Sequence, residues 1–122
     1  MKDFKELIVW QKAVDFVTKI YQETIPFPKE ELYGLVSQIR RAAVSVPANI
    51  SEGYTRRYTN EYIQFLYIAL ASCGEIETLL IISSNLKFVF SKELNLLVKD
   101  LLEIKKMLNA LISSLKKKVN GG

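Results

Sequence analysis

The feature that most constrains the fold of this chain is a proline inside a stretch with helical periodicity. Residues 38–54 read QIRRAAVSVPANISEGY. Their apolar positions recur at steps of three or four residues, as on one face of an α-helix: Leu35, Ile39, Ala42, Val46 and Ile50. Pro47 has no amide to bond to the carbonyl of Ala43, and its ring crowds that carbonyl. The sequence therefore predicts a helix that is kinked between Ala43 and Pro47.

The residues around the predicted kink are small, so another backbone can approach closely there. A carbonyl freed by a proline needs a donor, and Asn49 or Ser51 is expected to supply one. Asn49 would then have a structural role. The alternative is that Asn49 and Glu52, which follow the kink, are exposed and take part in recognition.

Four segments of the 122 residues have helical patterning, and none alternates like a strand. They are predicted at about 8–24, 29–53, 60–85 and 91–118. Gly53 is the expected left-handed residue after the second helix, and Thr59 and Ser91 are the expected N-caps of the next two. Short connectors favour antiparallel neighbours. The prediction is a single all-α domain over residues 1–122, folded as a left-handed, up-down-up-down, antiparallel four-helix bundle.

The third predicted helix is apolar on nearly all sides from Tyr62 to Gly74. A helix of that kind has to be covered on a second side, which favours contacts between subunits. The run itself is shorter than a bilayer requires. The residues from Met1 to Glu6 alternate in charge, unlike a signal peptide. We therefore expect a cytoplasmic protein that makes no contact with a membrane.

The residue counts exclude several kinds of chemistry. The chain has no histidine and one cysteine, Cys73, so histidine catalysis, histidine metal sites, thiolate clusters and an internal disulfide are impossible. No nucleophile paired with a base is visible. We predict a non-enzymatic protein with no metal or cofactor; an enzyme, the third and weakest hypothesis, would have only Glu52 and Glu77 as candidate acids.

Glu77 falls on the apolar seam of the third helix, where a carboxylate needs a partner. Arg40 or Arg41 on the preceding helix is the obvious candidate, and we predict a buried structural ion pair between Arg40 and Glu77. The alternative is a catalytic carboxylate.

A basic surface is the main candidate for binding. The net charge is +4, and the four arginines lie between residues 40 and 57. Arginine with tyrosine can bind phosphates and stack on bases. The predicted nucleic-acid-binding residues are Arg41, Arg56, Arg57, Tyr58, Lys105, Lys106, Lys116, Lys117 and Lys118. The alternative is a solvated turn with ion pairs inside the chain, and lysines that only complement the last helix's dipole.

The chain resembles a known family in three blocks: VWQKA at 9–13, YGLVSQIRRAAVSVPANISEGY at 33–54 and EYIQF at 61–65. These resemble the bacterial four-helix-bundle proteins encoded in intervening sequences of 23S ribosomal RNA genes, over roughly residues 4–115. The resemblance implies a cytoplasmic, non-enzymatic bundle that forms a ring-like homopentamer. The accessory variability determinants of diversity-generating retroelements look like the same bundle, with a basic surface that binds nucleic acid and a reverse transcriptase.

Two functional hypotheses follow. The first is a homopentameric bundle whose basic surface contacts RNA, DNA or a nucleic-acid-processing protein. The second is a structural or adaptor oligomer whose partner is another protein, with no nucleic-acid role.

Overall fold

The computed structural model describes residues 3–121, and this part of the chain is all-α with no strand. A short 3₁₀ helix at Phe4–Glu6 precedes α1 (Ile8–Thr24), and a second one at Lys29–Glu31 precedes α2 (Leu35–Tyr54). The chain continues as α3 (Thr59–Asn85) and α4 (Ser91–Val119). The prediction of an all-α chain with four helices is confirmed.

Neighbouring helices are antiparallel, as contacts across each interface show. Lys12 and Lys19 of α1 pair with Glu103 and Asp100 of α4, so sequence numbers rise on one helix as they fall on the other. Ser45 of α2 lies against Ser72 of α3, and Gly53 of α2 lies against Phe65, so these two helices are antiparallel as well. Each helix packs on the next, and α1 also packs on α4, which closes the bundle. The left-handed sense of the bundle stays a prediction.

The core fills the space between the four helices with aliphatic side chains. Its fully enclosed members include Ile20, Ile39, Ile50, Leu66, Ile76, Leu80, Leu101, Ile104 and Leu108. The most extensive contact is between α2 and α3. Burial of these side chains, each contributing roughly 1.5–3 kcal/mol, is what holds the helices together.

The start of the second helix differs from the prediction of residue 29. The chain makes a 3₁₀ turn at Lys29–Glu31, and Gly34, with φ −112° and ψ −107°, separates that turn from α2. The Glu31 side chain then accepts a hydrogen bond from the Leu35 amide at 3.3 Å. Glu31 therefore serves a free amide at the N-terminus of α2, where a carboxylate also suits the helix dipole.

Three predicted capping residues have other roles. Gly53 is helical, since α2 continues to Tyr54 and Gly121 is the one described glycine with positive φ. Thr59 and Ser91 are the first residues of α3 and α4, and no side chain caps either helix. Each helix begins at the residue that was predicted to cap it, so the N-cap residues are Tyr58 and Phe90. Neither side chain accepts a hydrogen bond from an amide of the first turn.

Pro47 is buried inside α2, which the structure carries through it without interruption. Asn49 donates to the carbonyl and the hydroxyl of Ser45 at 2.7 and 2.9 Å. Ser51 donates to the carbonyl of Ala48. Neither reaches Ala43, whose carbonyl the proline frees, so that part of the expectation was wrong because each side chain bonds within its own turn. The kink itself stays a prediction.

α3 has more apolar side chains than the core of the bundle buries. One face is buried, yet Tyr67, Ile68, Ile81 and Ile82 are each exposed by 39–47%. Of the described helices, α3 alone is long and apolar enough to cross a membrane by length and composition. The length argument made from residues 62–74 therefore fails, because the helix continues to Asn85. The absence of a membrane partner stays a prediction.

Candidate nucleic-acid interface

Two contacts to α3 bring basic residues from different helices to one end of the bundle. The guanidinium carbon of Arg56 lies 4.7 Å from the ring centroid of Phe65, and Nζ of Lys116 lies 5.2 Å from that of Tyr67. Phe65 and Tyr67 are both near the start of α3. Residues two apart point to nearly opposite sides of a helix, so the turn after α2 and the last residues of α4 lie at this end of the bundle on either side of α3. We call Arg56, Arg57, Lys116, Lys117 and Lys118 the basic end.

The charges of the basic end differ in how far they are neutralised. Arg56 donates to the Glu52 carboxylate at 3.0 Å, one helical turn back, so part of its charge is compensated. Within residues 3–121, no carboxylate lies within ion-pair distance of Arg57 or of the three lysines. All of these side chains are exposed. Four uncompensated cations remain available to an anion.

Aromatic rings accompany these cations. The Arg57 guanidinium lies 5.5 Å from the ring centroid of Tyr58, which is 60% exposed. Tyr67 is also partly exposed beneath Lys116. Tyr62, by contrast, packs edge-on against Tyr54 at 5.9 Å, and burial raises the pKa of Tyr62 to about 12. Tyr58 and Tyr67 thus offer ring surface outside the core, while Tyr62 is part of the packing.

Three of the predicted binding residues lie away from the basic end. Lys105 is three helical turns before Lys116 and faces Glu77, with Nζ 3.7 Å from Oε1. Lys106 is exposed one residue further along α4. Arg41 is in the first half of α2, beside Tyr33 and Ser37. The predicted set of nine residues is therefore three separate groups, and only the basic end combines several cations.

The predicted ion pair between Arg40 and Glu77 was wrong. Arg40 stacks on Tyr21 at 4.5 Å, and its Nε donates to the Thr24 hydroxyl at 3.0 Å. Glu77 is about one-third exposed beside Lys105. The core position assigned to Glu77 belongs to its neighbour Ile76, which is fully buried, so Glu77 is turned toward α4 instead of α2. The buried structural ion pair predicted for Glu77 is therefore not formed, and its catalytic alternative stays a hypothesis.

A chain of polar contacts connects α2 and α3 near the predicted kink. The hydroxyls of Ser45 and Ser72 are 2.9 Å apart, and Ser45 also accepts from Asn49. Ser72 is buried. These bonds favour the structural interpretation of Asn49, since a buried hydroxyl without a partner would cost about 1–3 kcal/mol.

The structure shows contacts that sequence reasoning missed. Lys12 and Glu103 are 2.7 Å apart, as are Lys19 and Asp100, and Glu103 raises the pKa of Lys12. The lysines lie on α1 and the carboxylates on α4, which are far apart in the sequence. Their pairing can be predicted only once these two helices are known to be antiparallel neighbours. No group of three or more cysteine and carboxylate side chains in residues 3–121 is placed to hold a metal ion.

These features define the class of protein: a four-helix bundle that has Arg57, Lys116, Lys117 and Lys118, four cations without a carboxylate partner in the described residues, at one end. The family model for the 23S rRNA-intervening sequence protein matches residues 5–110. The chain belongs to that family, as its sequence resemblance predicted.

A solved structure shows the same fold. It is described as a protein of unknown function from the S23 ribosomal protein family of Bacteroides thetaiotaomicron. The two chains align with a TM-score of 0.80 and 24% identity, over 87% of this chain and 96% of the other. No curated protein matches. At this identity the likeness supports the fold alone.

Proposed function

We propose that this protein is a non-enzymatic, homo-oligomeric bundle that binds RNA or DNA through the basic end. The observation that carries the proposal is that Arg57, in the turn after α2, lies at the same end of the bundle as Lys116, Lys117 and Lys118 at the end of α4. None of these has a carboxylate partner in the described chain. Such a cluster attracts phosphates because binding releases the counterions condensed on the nucleic acid.

The rings beside the cations favour a single strand or an unpaired loop over a regular duplex. Tyr58 and Tyr67 each carry a cation over one ring and are partly exposed. Bases that are not stacked on each other can stack on such rings, at roughly 1–3 kcal/mol per base. A stacked base and a neighbouring phosphate can therefore be bound together at the basic end.

Fluorescence anisotropy with a labelled single-stranded RNA, titrated at several salt concentrations, tests this proposal. Four phosphate contacts predict a slope of about −3 for log affinity against log salt. Replacing Lys116, Lys117 and Lys118 with alanine should remove most of that slope. The matched control replaces Lys29, Lys92 and Lys99, which are exposed away from the basic end. Equal losses in both triple variants, or no binding by the natural chain at low salt, would contradict the proposal.

Self-association is part of the proposal because of α3. Its exposed face carries Tyr67, Ile68 and Ile82, more apolar surface than a solvated helix normally shows. Together with the family resemblance, this supports a homopentamer, in which the basic end would occur once per subunit and add avidity. Light scattering after size exclusion measures the mass, and a monomer would refute this part.

A second candidate function is supported by the same apolar face of α3. An adaptor that binds another protein, such as a nucleic-acid-processing enzyme, would also cover Ile68 and Ile82. The two functions differ in what the basic end does. Alanine at Arg57 and at the three lysines abolishes nucleic-acid binding under the first, and leaves partner binding unchanged under the second.

A further inference from the structure

A groove lies at the end of the bundle opposite to the basic end, between the connector from α1 to α2 and the connector from α3 to α4. Its volume is about 340 Å³. The apolar walls are Pro26 and Pro28 on one side and Phe88, Val89 and Phe90 on the other. We call it the connector groove. Because most of its lining is apolar, an occupant has to offer apolar surface of its own.

The packing of the connectors holds the walls of this groove in place. The ring of Phe88 lies against that of the buried Phe27, with 5.6 Å between the two centroids. The Phe88 amide also donates to the carbonyl of Ser83 at 2.9 Å. Phe90, by contrast, is 80% exposed. The groove is therefore formed in the free protein, and one aromatic ring at its edge lies outside the core.

Two carboxylates line the connector groove from the helices beside it. Glu23 is in the last turn of α1, and Glu93 is in the first turn of α4. Within residues 3–121, no cation lies within ion-pair distance of either. In the same residues, Oε2 of Glu93 is the one buried side-chain oxygen or nitrogen without a hydrogen-bond partner. Buried polar atoms nearly always have a partner, so this oxygen indicates a donor supplied from outside the chain.

Two lysines lie near these carboxylates, and neither pairs with them. Lys19 lines a neighbouring groove together with Glu23 and Glu93, but its Nζ is 2.7 Å from the Asp100 carboxylate. Lys87 lines the connector groove, but it is exposed and forms no ion pair within the described chain. Uncompensated negative charge therefore remains in the groove, although the net charge of the whole chain is +4.

We infer that the connector groove binds an arginine side chain of another protein, with its guanidinium between Glu93 and Phe90. A guanidinium donates through a rigid fork that matches a carboxylate, and its flat face stacks on aromatic rings. The residues beside that arginine are apolar, since they cover Ile25 and Leu86, which are 73% and 53% exposed next to the groove. This binding site is separate from the basic end and does not depend on nucleic-acid binding.

Charge and shape decide against other occupants. A nucleic acid would bring its phosphates to two uncompensated carboxylates. A metal ion has too few ligands, since no group of three or more cysteine and carboxylate side chains in the described residues is placed to hold one. A small polyamine would supply a donor to Glu93 but would leave Ile25 and Leu86 in water. An arginine flanked by apolar residues satisfies the charge and covers the apolar surface.

A peptide titration followed by NMR tests the inference. The probe is a capped tripeptide of leucine, arginine and leucine, added to the ¹⁵N-labelled full chain while the backbone amide shifts are recorded. The matched peptide has citrulline in place of arginine, which keeps the shape and removes the charge. Glu93→Gln removes the proposed acceptor, and Glu75→Gln is the matched control, because Glu75 is exposed on α3 and also has no cation within ion-pair distance in the described chain. Helical circular dichroism and the melting temperature verify that each variant is folded.

The arginine peptide should shift the amides of Lys87, Val89 and Phe90. It should bind at least about tenfold more tightly than the citrulline peptide, because only arginine makes charge-assisted hydrogen bonds to the carboxylate. Glu93→Gln should abolish this difference, and Glu75→Gln should leave it unchanged. If these amides do not shift, or if the two peptides bind equally to the natural chain, the connector groove is not an arginine site.

Two further measurements separate the alternatives. Spermidine is titrated in the same way, and equal or tighter binding of spermidine would overturn the assignment of a protein partner. Lys87→Gln removes the lysine that lines the groove. If this variant binds the arginine peptide at least about tenfold more tightly, Lys87 fills the site in the natural chain and the inference is wrong. Nucleic-acid binding is tested independently, since none of these variants changes a residue of the basic end.

Discussion

Gly53 of α2 lies so close to Phe65 of α3 that a Cβ atom added to the glycine would come within 2.8 Å of the Cβ of Phe65. The same atom would lie 2.9 Å from Cδ1 of Tyr62. Contacts this short do not occur between real side chains, so the neighbours would have to move. The glycine is required here for the close approach of two helices.

Gly53→Ala should therefore lower the free energy of unfolding by about 1–3 kcal/mol, the usual range for an overpacked core. Gly74→Ala is the matched control, because a Cβ there meets nothing within 4 Å. Gly74 is an exposed helical residue, so alanine should stabilise the protein by about 0.5–1 kcal/mol. Urea unfolding measures both, and equal effects of the two substitutions would contradict the packing argument.

Glu77 gives a second prediction. Its partner is the partly exposed Lys105 at 3.7 Å, and solvent screens such a pair. Glu77→Ala should cost less than about 1 kcal/mol in urea unfolding, far below the 3–5 kcal/mol expected for breaking a buried ion pair. Glu77→Gln, which keeps the side-chain length, should give nearly the same value. A large loss would mean that Glu77 is buried after all, for example between subunits.

A third prediction compares Asn49, whose hydrogen bonds are part of a contact between two helices, with Ser51, whose hydrogen bond stays within α2. Asn49 donates twice to Ser45, which in turn contacts the buried Ser72 of α3. Asn49→Ala should cost about 1–2 kcal/mol, since the network loses its donors. Ser51 bonds only the exposed Ala48 carbonyl, so Ser51→Ala should change stability by less than about 0.5 kcal/mol. If Asn49→Ala costs no more than Ser51→Ala, then Asn49 is free for recognition.

Cys73 is fully buried, and burial raises the pKa of its thiol to about 11. The thiolate is the reactive form, so iodoacetamide should modify the folded protein very slowly at neutral pH. Addition of urea should restore the rate of a free thiol. Rapid modification of the folded protein, at a rate independent of urea, would contradict the burial of this residue.

Stability should fall at alkaline pH. Cys73 and Tyr62 have folded-state pKa values of about 11 and about 12, above their ordinary values of 9.0 and 10.0. Because the neutral form is favoured in the folded state, their contribution is complete below pH 9 and is lost as the pH rises through the folded values. Because one pKa unit corresponds to about 1.4 kcal/mol, the loss should reach at most about 3 kcal/mol per group. Unfolding followed against pH measures it, and Cys73→Ala should remove the first part of the decline.

Local patterns in the sequence predicted the helices because helix formation depends on residues three and four apart. The stripe from Leu35 to Ile50 identified the second helix. The ends of the helices were predicted less well. Thr59 and Ser91 were expected to be N-caps, but each is the first residue of its helix. The start of α2 is accompanied by a hydrogen bond from the Leu35 amide to the Glu31 carboxylate. The spacing of apolar residues does not predict such a bond.

Partner choice was decided by the tertiary structure. The sequence placed Glu77 on the seam, but a rotation by one residue gives that position to Ile76 and turns Glu77 to Lys105. Arg40 contacts Tyr21 and Thr24 of α1 instead. The sequence does not specify the path of the linker between α1 and α2, so it did not predict these contacts.

The sequence by itself therefore determined that the chain is all-α, where its helices lie, and to which family it belongs, because these depend on spacing along the chain. The tertiary structure decided which charges are compensated and which gather at the basic end. That depends on helix rotation and antiparallel pairing, which place Arg56 and Lys116 beside the same short segment of α3.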